Sequence, residues 1–184
     1  GPGEMGDALP VVNLGAGRTA KAISAGLDMA CAILDNDTLK CWGRNSEGQL
    51  GQGNTTQLGS AANQMGDNLP VVNLGAGRTV KAVYPGWLQN CALLDNNAFK
   101  CWGYNSYGES GQGDTLVRGD QPNEMGDNLP VVNLGAGRSV VMAGNDTHAR
   151  CVILDNGAVK CWGYNDSWGV LGIFPGGRVG DNPN

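Results

Sequence analysis

The chain has 184 residues, which is enough for one domain with its own hydrophobic core. Its 31 glycines and its low share of charged residues, 16%, favour short strands joined by tight turns over long helices. A net charge of −5 leaves no excess of basic side chains for phosphates, so nucleic-acid binding is not expected. No apolar run is long enough to cross a bilayer, so membrane association is expected only through a partner.

The sequence repeats itself three times with a period of 60 residues. The triplet Cys-Trp-Gly begins at Cys41, Cys101 and Cys161. The triplet Met-Gly-Asp begins at Met5, Met65 and Met125. A fixed period of this kind indicates one supersecondary unit per repeat. We therefore treat the chain as a single repeat domain, with repeat 1 at 1–60, repeat 2 at 61–120 and repeat 3 at 121–184.

Four short strands are predicted in each repeat, and repeat 1 shows the pattern in chain order. The first two predicted strands are Pro10–Leu14 and Ala20–Ala25, and the next two are Ala30–Leu34 and Thr38–Arg44. The last two face each other across Asp-Asn-Asp, which becomes Asp-Asn-Gly in repeat 3 and suits a three-residue hairpin loop. Four strands in a unit of this length are typical of a propeller blade.

The six cysteines fall into three pairs, each spanning one predicted hairpin: Cys31/Cys41, Cys91/Cys101 and Cys151/Cys161. If Leu34 and Thr38 flank the turn, the first two cysteines face each other at a non-hydrogen-bonded position, with about 4.5 Å between Cα atoms. We expect three disulfides, and therefore an oxidising compartment, either extracellular or an organelle lumen such as the thylakoid lumen. Buried reduced thiols are the alternative, and zinc is disfavoured by the spacing and the lack of histidines.

The segment from Cys31 to Gly53, with its Cys-Ala-Ile-Leu-Asp-Asn and Cys-Trp-Gly motifs, resembles the core of a repeat of the RCC1 (regulator of chromosome condensation) family. All three repeats match this pattern. They also resemble the repeats of long tandem arrays in bacteria and in protists such as dinoflagellates. The resemblance implies an all-β fold of three tandem RCC1-like blades. Each blade would have about four short antiparallel strands. Because such propellers usually have seven blades, we expect an open propeller or part of a larger one.

Two departures from the RCC1 pattern stand out. The position two residues before the first cysteine, often histidine in such repeats, holds Met29, Gln89 or Ala149. Repeat 3 carries one extra residue after Asn165.

The two ends lie at nearly the same phase of the repeat, because Pro2 and Pro183 both align with Pro122. This matching favours a three-repeat piece of a longer array, either a processed unit or a trimmed fragment. Open terminal blades would expose unpaired strand edges, which proteins usually cover. We therefore expect an oligomer or a complex in which another copy, further blades or other protein subunits cover these edges.

No catalytic, cofactor-binding or metal-binding residue is predicted. His148 is the single histidine, and no nucleophile pattern accompanies it. The recurring aspartates fit turn positions, and Gly-Ala-Gly-Arg lacks the third glycine of a phosphate loop. Arg18 and its copies are expected to tie blades together, and the repeated tryptophan, Trp42 in repeat 1, is expected to pack between blades.

Aromatic residues that differ between repeats are the candidate partner surface, because the common fold does not require them. They are Tyr84, Trp87, Tyr104, Tyr107, Tyr164, Trp168 and Phe174. Asn36, Asn54, Asn145 and Asn165 lie in glycosylation sequons.

The leading functional hypothesis is a non-catalytic interaction or scaffold module, an accessory subunit of a larger assembly. One specific form places it on the lumenal side of a membrane complex such as a photosystem. The RCC1 resemblance also leaves open a regulatory protein that acts in guanine-nucleotide exchange or binds chromatin. An enzyme inhibitor with a propeller fold is a further alternative. An enzyme is disfavoured because no set of nucleophile, base and oxyanion donors is present.

Overall fold

Each repeat folds into one antiparallel β-sheet in a computed structural model that describes residues 3–173 and 176–182. Blade 1 has the strands β1 (Ala20–Ala25), β2 (Met29–Leu34) and β3 (Leu39–Gly43). Blade 2 has β4 (Val80–Pro85), β5 (Gln89–Leu94) and β6 (Phe99–Gly103). Blade 3 has β7 (Val140–Asn145), β8 (Ala149–Leu154), β9 (Val159–Asn165) and β10 (Gly177–Val179). The fold is all-β and forms an open array of propeller blades. Short 3-10 turns at Gly6–Ala8, Gly66–Asn68 and Gly126–Asn128 precede the blades.

The hairpin of each blade has the register that alternation and the turn predict. In blade 1, Leu34 N–H donates to the carbonyl of Thr38 across the turn, and Cys31 lies directly opposite Cys41. The structure joins all three cysteine pairs as disulfides, with Cα atoms 4.0 to 4.1 Å apart. The turn requires a left-handed residue, which is Asp37 (φ 62°) in blade 1 and Gly157 (φ 81°) in blade 3.

The fourth strand does not lie where the sequence pattern places it. Pro10–Leu14 is extended but joins no sheet. The outer edge of blade 1 is instead completed by Leu58, which bridges Gly43, and blade 3 is completed by β10 paired with β9. The corresponding segment of repeat 2 has a different role, because Val72 N–H donates to the carbonyl of Leu39 in the preceding blade. This segment of repeat 2 therefore lies in the junction between blades 1 and 2.

Two hydrophobic cores lie at the junctions between blades. The first packs Ile33 and Leu39 of blade 1 against Leu94 and Trp102 of blade 2. The second packs Phe99 of blade 2 against the equivalent leucine and tryptophan of blade 3. Each blade is therefore stabilised mainly by its neighbours. Trp102 and Trp162 pack between blades as expected, whereas Trp42 faces an open end and is only half-buried.

Contrary to the expectation from sequence, the repeated arginines do not tie blades together. Arg18 pairs with Asp35 of its own hairpin, with 3.3 Å between Nη1 and Oδ2, and the copies repeat this contact. Neighbouring repeats are joined by other groups. Asp67 accepts a hydrogen bond from Ala16 N–H, and Lys40 donates to the carbonyls of Leu14 and Gly66.

Candidate functional site

Five ring side chains from blades 2 and 3 form one continuous cluster, called the aromatic patch below. Its members are Trp87, Tyr104, Tyr107, His148 and Tyr164. His148 lies among three of the rings, with its centroid 5.2 Å from that of Tyr107 and 5.5 Å from that of Trp87, both edge to face. The centroids of Tyr107 and Tyr164 are 5.0 Å apart. Edge-to-face and tilted ring pairs of this kind stabilise one another beyond the area that they bury.

Turns and strand ends position the rings of the patch. Trp87 lies in the turn between β4 and β5, and His148 lies in the equivalent turn between β7 and β8. Tyr104 directly follows β6, Tyr107 lies in the loop after it, and Tyr164 belongs to β9. Because adjacent blades place equivalent turns side by side, residues about 60 positions apart in the chain meet here. Tyr164 is exposed, and the other four rings are half-buried.

One arginine stacks on the patch from the outer edge of blade 3. The guanidinium carbon of Arg178, in β10, lies 4.8 Å from the centroid of Tyr107. This cation–π contact adds a positive charge to a surface otherwise made of rings.

Two buried charged residues, Arg150 and Glu109, lie beneath the patch. Arg150, in β8, is fully buried and donates to the carbonyl oxygen of Tyr84 at 3.3 Å and to Oδ1 of Asn145. Burial lowers the pKa of Arg150 to about 9, an effect that the negative charge of Glu109 opposes. The guanidinium is therefore protonated at neutral pH.

Glu109 links this buried layer to the patch. One carboxylate oxygen accepts a 2.8 Å hydrogen bond from the N–H of Tyr107, which fixes the loop that carries that ring. Burial raises the pKa of Glu109, although its hydrogen bonds and the nearby arginines Arg178 and Arg150 act in the opposite direction.

Three of the candidate aromatic residues lie outside the patch. Tyr84 packs against Phe99 with ring centroids 6.0 Å apart, and burial raises its pKa. Trp168 is 90% exposed in the altered loop of repeat 3. Phe174 lies outside the described residues.

His148 and Arg150 are the participants that sequence reasoning missed. The sequence offers one signal for His148, since it lies one residue beyond the position equivalent to Trp87 in the 60-residue period. Arg150 aligns with Ala30 and Asn90, a position that changes in every repeat. Both assignments depend on contacts between blades, which a single-repeat pattern does not contain.

No cofactor or metal site emerges from the part of the chain that the structure describes. Within 3–173 and 176–182, no group of three or more His, Cys, Asp or Glu side chains could hold a metal ion. No helix in the same ranges is long and apolar enough to cross a membrane.

The four sequon asparagines differ in accessibility. Asn36, Asn54 and Asn145 are exposed. Asn165 is buried. The first three sequons are therefore better placed for modification than the last.

Comparisons with known proteins identify the repeat. Residues 20–49 match the family model described as the regulator of chromosome condensation (RCC1) repeat. The ultraviolet-B receptor UVR8 of Arabidopsis thaliana is 29% identical over 162 residues, which cover 85% of this chain and 32% of the receptor. Residues 20–49 thus form an RCC1-type repeat, and the other two repeats of the chain are similar to it in sequence.

Solved structures show the same fold for these RCC1-type repeats. Human WBSCR16 superposes with a TM-score of 0.64 at 17% identity, over 89% of this chain and 38% of that one. A structure of Kap60 bound to yeast RCC1 (Prp20) gives a TM-score of 0.63 at 16% identity, over 89% and 36% of the two chains. Prp20p from Saccharomyces cerevisiae gives 0.61 at 17% identity, over 90% and 37%. The chain spans about a third of the length of the proteins that it matches.

Proposed function

We propose that this RCC1-type chain is a non-catalytic protein-interaction module and that the aromatic patch binds its partner protein. The observation that carries the proposal is the restriction of the patch to blades 2 and 3. The positions equivalent to Trp87, Tyr104 and Tyr107 in blade 1 hold Leu27, Arg44 and Glu47. The fold forms at both places, so the rings are not needed for folding a blade.

The chemistry of the patch suits a partner protein. Tryptophan and tyrosine are enriched among the residues that contribute most to protein–protein affinity, because each presents a large rigid surface with a polar group at its edge. Glu109 fixes the Tyr107 loop from below, so little conformational freedom would be lost on binding. A partner with apolar or acidic side chains would fit rings beside Arg178.

Known relatives support an interaction role of this general kind. One similar structure is of Kap60 bound to yeast RCC1, and another is of Prp20p, for which binding properties to Gsp1p and histones are described. These partners belong to those proteins. The net charge of −5 favours a protein partner over nucleic acid for this chain.

The open faces of the terminal blades and the disulfides refine the proposal. Other protein chains are proposed to cover these faces, so that the protein works in an oligomer or a complex. Three disulfides support an oxidising compartment, either extracellular or an organelle lumen. A lumenal accessory subunit of a membrane complex, such as a photosystem, is one case of this proposal.

Substitution in the patch tests the binding role. The Trp87→Ala variant should weaken partner binding by at least about 30-fold, the effect typical of a central aromatic residue. The partner is first identified by cross-linking in a native extract followed by mass spectrometry. The affinity of the purified pair is then measured by calorimetry.

Leu27→Ala is the matched control, because Leu27 is exposed at the equivalent position of blade 1. This control should bind like the wild type. Equal affinity of the Trp87→Ala variant and the wild type would exclude the patch as the binding surface.

A further inference from the structure

The rings of the aromatic patch form an elongated row. From Trp87 the row runs to His148, then to Tyr107 and then to Tyr164, with successive centroids 5.0 to 5.5 Å apart. Tyr104 lies beside the middle of the row, with its centroid 6.2 Å from those of Tyr107 and His148. A polypeptide in the polyproline II conformation, which rises about 3.1 Å per residue, covers such a row with about five residues.

The patch presents hydrogen-bond donors that the protein itself leaves unused. Within 3–173 and 176–182, no hydrogen bond engages the indole N–H of Trp87 or the hydroxyls of Tyr104 and Tyr107. These polar atoms are not buried, although the residues that carry them are half-buried. They are therefore available to acceptors of a bound partner.

These donors favour one backbone conformation for a bound segment. An α-helix uses its carbonyls internally, and an added β-strand needs an open strand edge that supplies acceptors as well as donors. The patch has no such edge, because Tyr164 lies in β9 and that strand is paired with β8 and β10, while the other rings lie in turns and loops. A polyproline II segment leaves its carbonyls unpaired, and its prolines have no N–H that needs an acceptor.

A positive charge near one end of the row adds a requirement for the segment. Arg178 stacks on Tyr107, and its Nη1 donates to the carbonyl of Ser106 at 3.4 Å. Within the described ranges, Arg178 forms no ion pair, and the carboxylate of Glu109 that influences it is buried beneath the loop. An acidic side chain of the segment therefore fits beside Arg178.

The patch stays accessible when a further blade packs beside it. Tyr104 occupies in blade 2 the position that Tyr164 occupies in blade 3, and it is only half-buried although blade 3 follows it. Leu27, at the position of Trp87, is 71% exposed although blade 2 follows it. Turn positions on this side of the array thus lie outside the junctions between blades.

We infer that the aromatic patch binds an extended, proline-rich segment of its partner protein, with an acidic residue beside Arg178. The inference rests on the proposed binding role of the patch and adds the class of segment that it takes. Prolines pack against the rings, the free donors bind carbonyls of the segment, and Arg178 pairs with the acidic side chain. Because a polyproline II segment is already extended before it binds, little conformational entropy is lost.

Synthetic peptides test the inference on the whole chain. A labelled peptide of prolines with one central glutamate is compared, by fluorescence anisotropy, with a control of the same length and charge in which glycine and serine replace the prolines. The proline peptide should bind at least about 10-fold more tightly, because the flexible control loses more entropy on binding. A proline peptide with lysine in place of the glutamate should bind more weakly, because its charge repels Arg178.

Variants assign the contacts of the proline peptide. Trp87→Ala should weaken its binding by at least about 30-fold, and Tyr107→Phe, which removes a hydroxyl and keeps the ring, by about 5-fold. Arg178→Ala should abolish the preference for the glutamate peptide over the lysine peptide. Arg44→Ala is the matched control, because Arg44 is a half-exposed arginine of blade 1 outside the patch, and this variant should bind like the wild type.

Circular dichroism establishes that each variant is folded. Equal affinity for the proline peptide and the glycine-serine control would overturn the inference, and so would the absence of binding by either peptide. A natural partner that the Trp87→Ala variant no longer binds, but that the proline peptide does not displace from the wild type, would also overturn it. That last result would leave the proposed binding role of the patch intact, so the two proposals can fail separately.

Discussion

Glu109 and Arg150 occupy the positions that Gln49 and Asn90 occupy one repeat earlier. A neutral amide pair at one junction thus becomes a pair of charges at the next, while the hydrogen bond to the loop is kept. Gln49 accepts from the N–H of Glu47 at 2.8 Å, and Glu109 accepts from the N–H of Tyr107 at the same distance. The charge at this position can therefore be changed without losing the loop contact.

Exchange of these residues should separate charge from hydrogen bonding. Arg150→Asn should destabilise the fold by about 2 kcal/mol, because it leaves the carboxylate of Glu109 buried without an opposite charge. The double variant Glu109→Gln/Arg150→Asn rebuilds the pair of the first junction and should lie within about 1 kcal/mol of the wild type. Urea unfolding measures both. A double variant less stable than Arg150→Asn would contradict the equivalence of the two junctions.

The pH dependence of stability in the single variant Glu109→Gln gives a second readout. Burial raises the pKa of Glu109 in the folded chain above its ordinary value. Between those two values, the folded state binds more protons than the unfolded state, so this residue makes stability fall as the pH rises. In the Glu109→Gln variant, the unfolding free energy should not show this fall with rising pH. Identical slopes of unfolding free energy against pH in the wild type and the Glu109→Gln variant would contradict a raised pKa of Glu109.

At the scale of the element, each hairpin and its disulfide form one local unit. The three pairs have the same register and the same sequence separation, 10, but they differ in burial. Cys31/Cys41 and Cys91/Cys101 are buried by the next blade, whereas Cys151 and Cys161 of blade 3 are half-buried. Access to a reductant should follow this difference.

The disulfide of blade 3 should therefore be reduced first. In dilute protein treated with limiting dithiothreitol, alkylation should appear at Cys151 and Cys161 before the other cysteines, as peptide mass spectrometry can measure. Removing the central bond with Cys91→Ser/Cys101→Ser should cost about 3 kcal/mol, the loop-closure entropy of a loop of this length. Simultaneous reduction of all three bonds would contradict the order.

At the scale of the whole molecule, stability is unevenly distributed because each blade depends on its neighbours. Blade 2 has a blade on both sides, and all six residues of β5 are buried. Blades 1 and 3 have one neighbour each within the chain, and the three residues of β10 are exposed. A stack of blades in which each contacts only its neighbours should open from its ends.

Amide hydrogen exchange should report this gradient. Exchange should be slowest in β5 and at least about 100-fold faster in β10, because opening β10 exposes little apolar surface. Mass spectrometry of peptic fragments measures both strands. Uniform protection across the three blades would show that the chain unfolds as one cooperative unit.

The sequence by itself determined the features that lie within one repeat. The Asp-Asn-Asp loop and the alternation on either side of it set the register of β2 and β3, and with it the pairing of Cys31 and Cys41. These are local properties, because a tight turn and a period of two residues leave few alternatives. The all-β blades followed from the same local patterns and from the resemblance of the repeat.

Only the tertiary structure decided which segments meet when they are distant in the chain. It placed Pro10–Leu14 outside the sheets, gave the outer edge of blade 1 to Leu58 and directed Arg18 to its own hairpin. It also brought His148 among the rings of the aromatic patch. The contacts of His148 depend on how one blade is rotated against the next, and that rotation is set by packing in the junction cores rather than by the pattern of any single repeat.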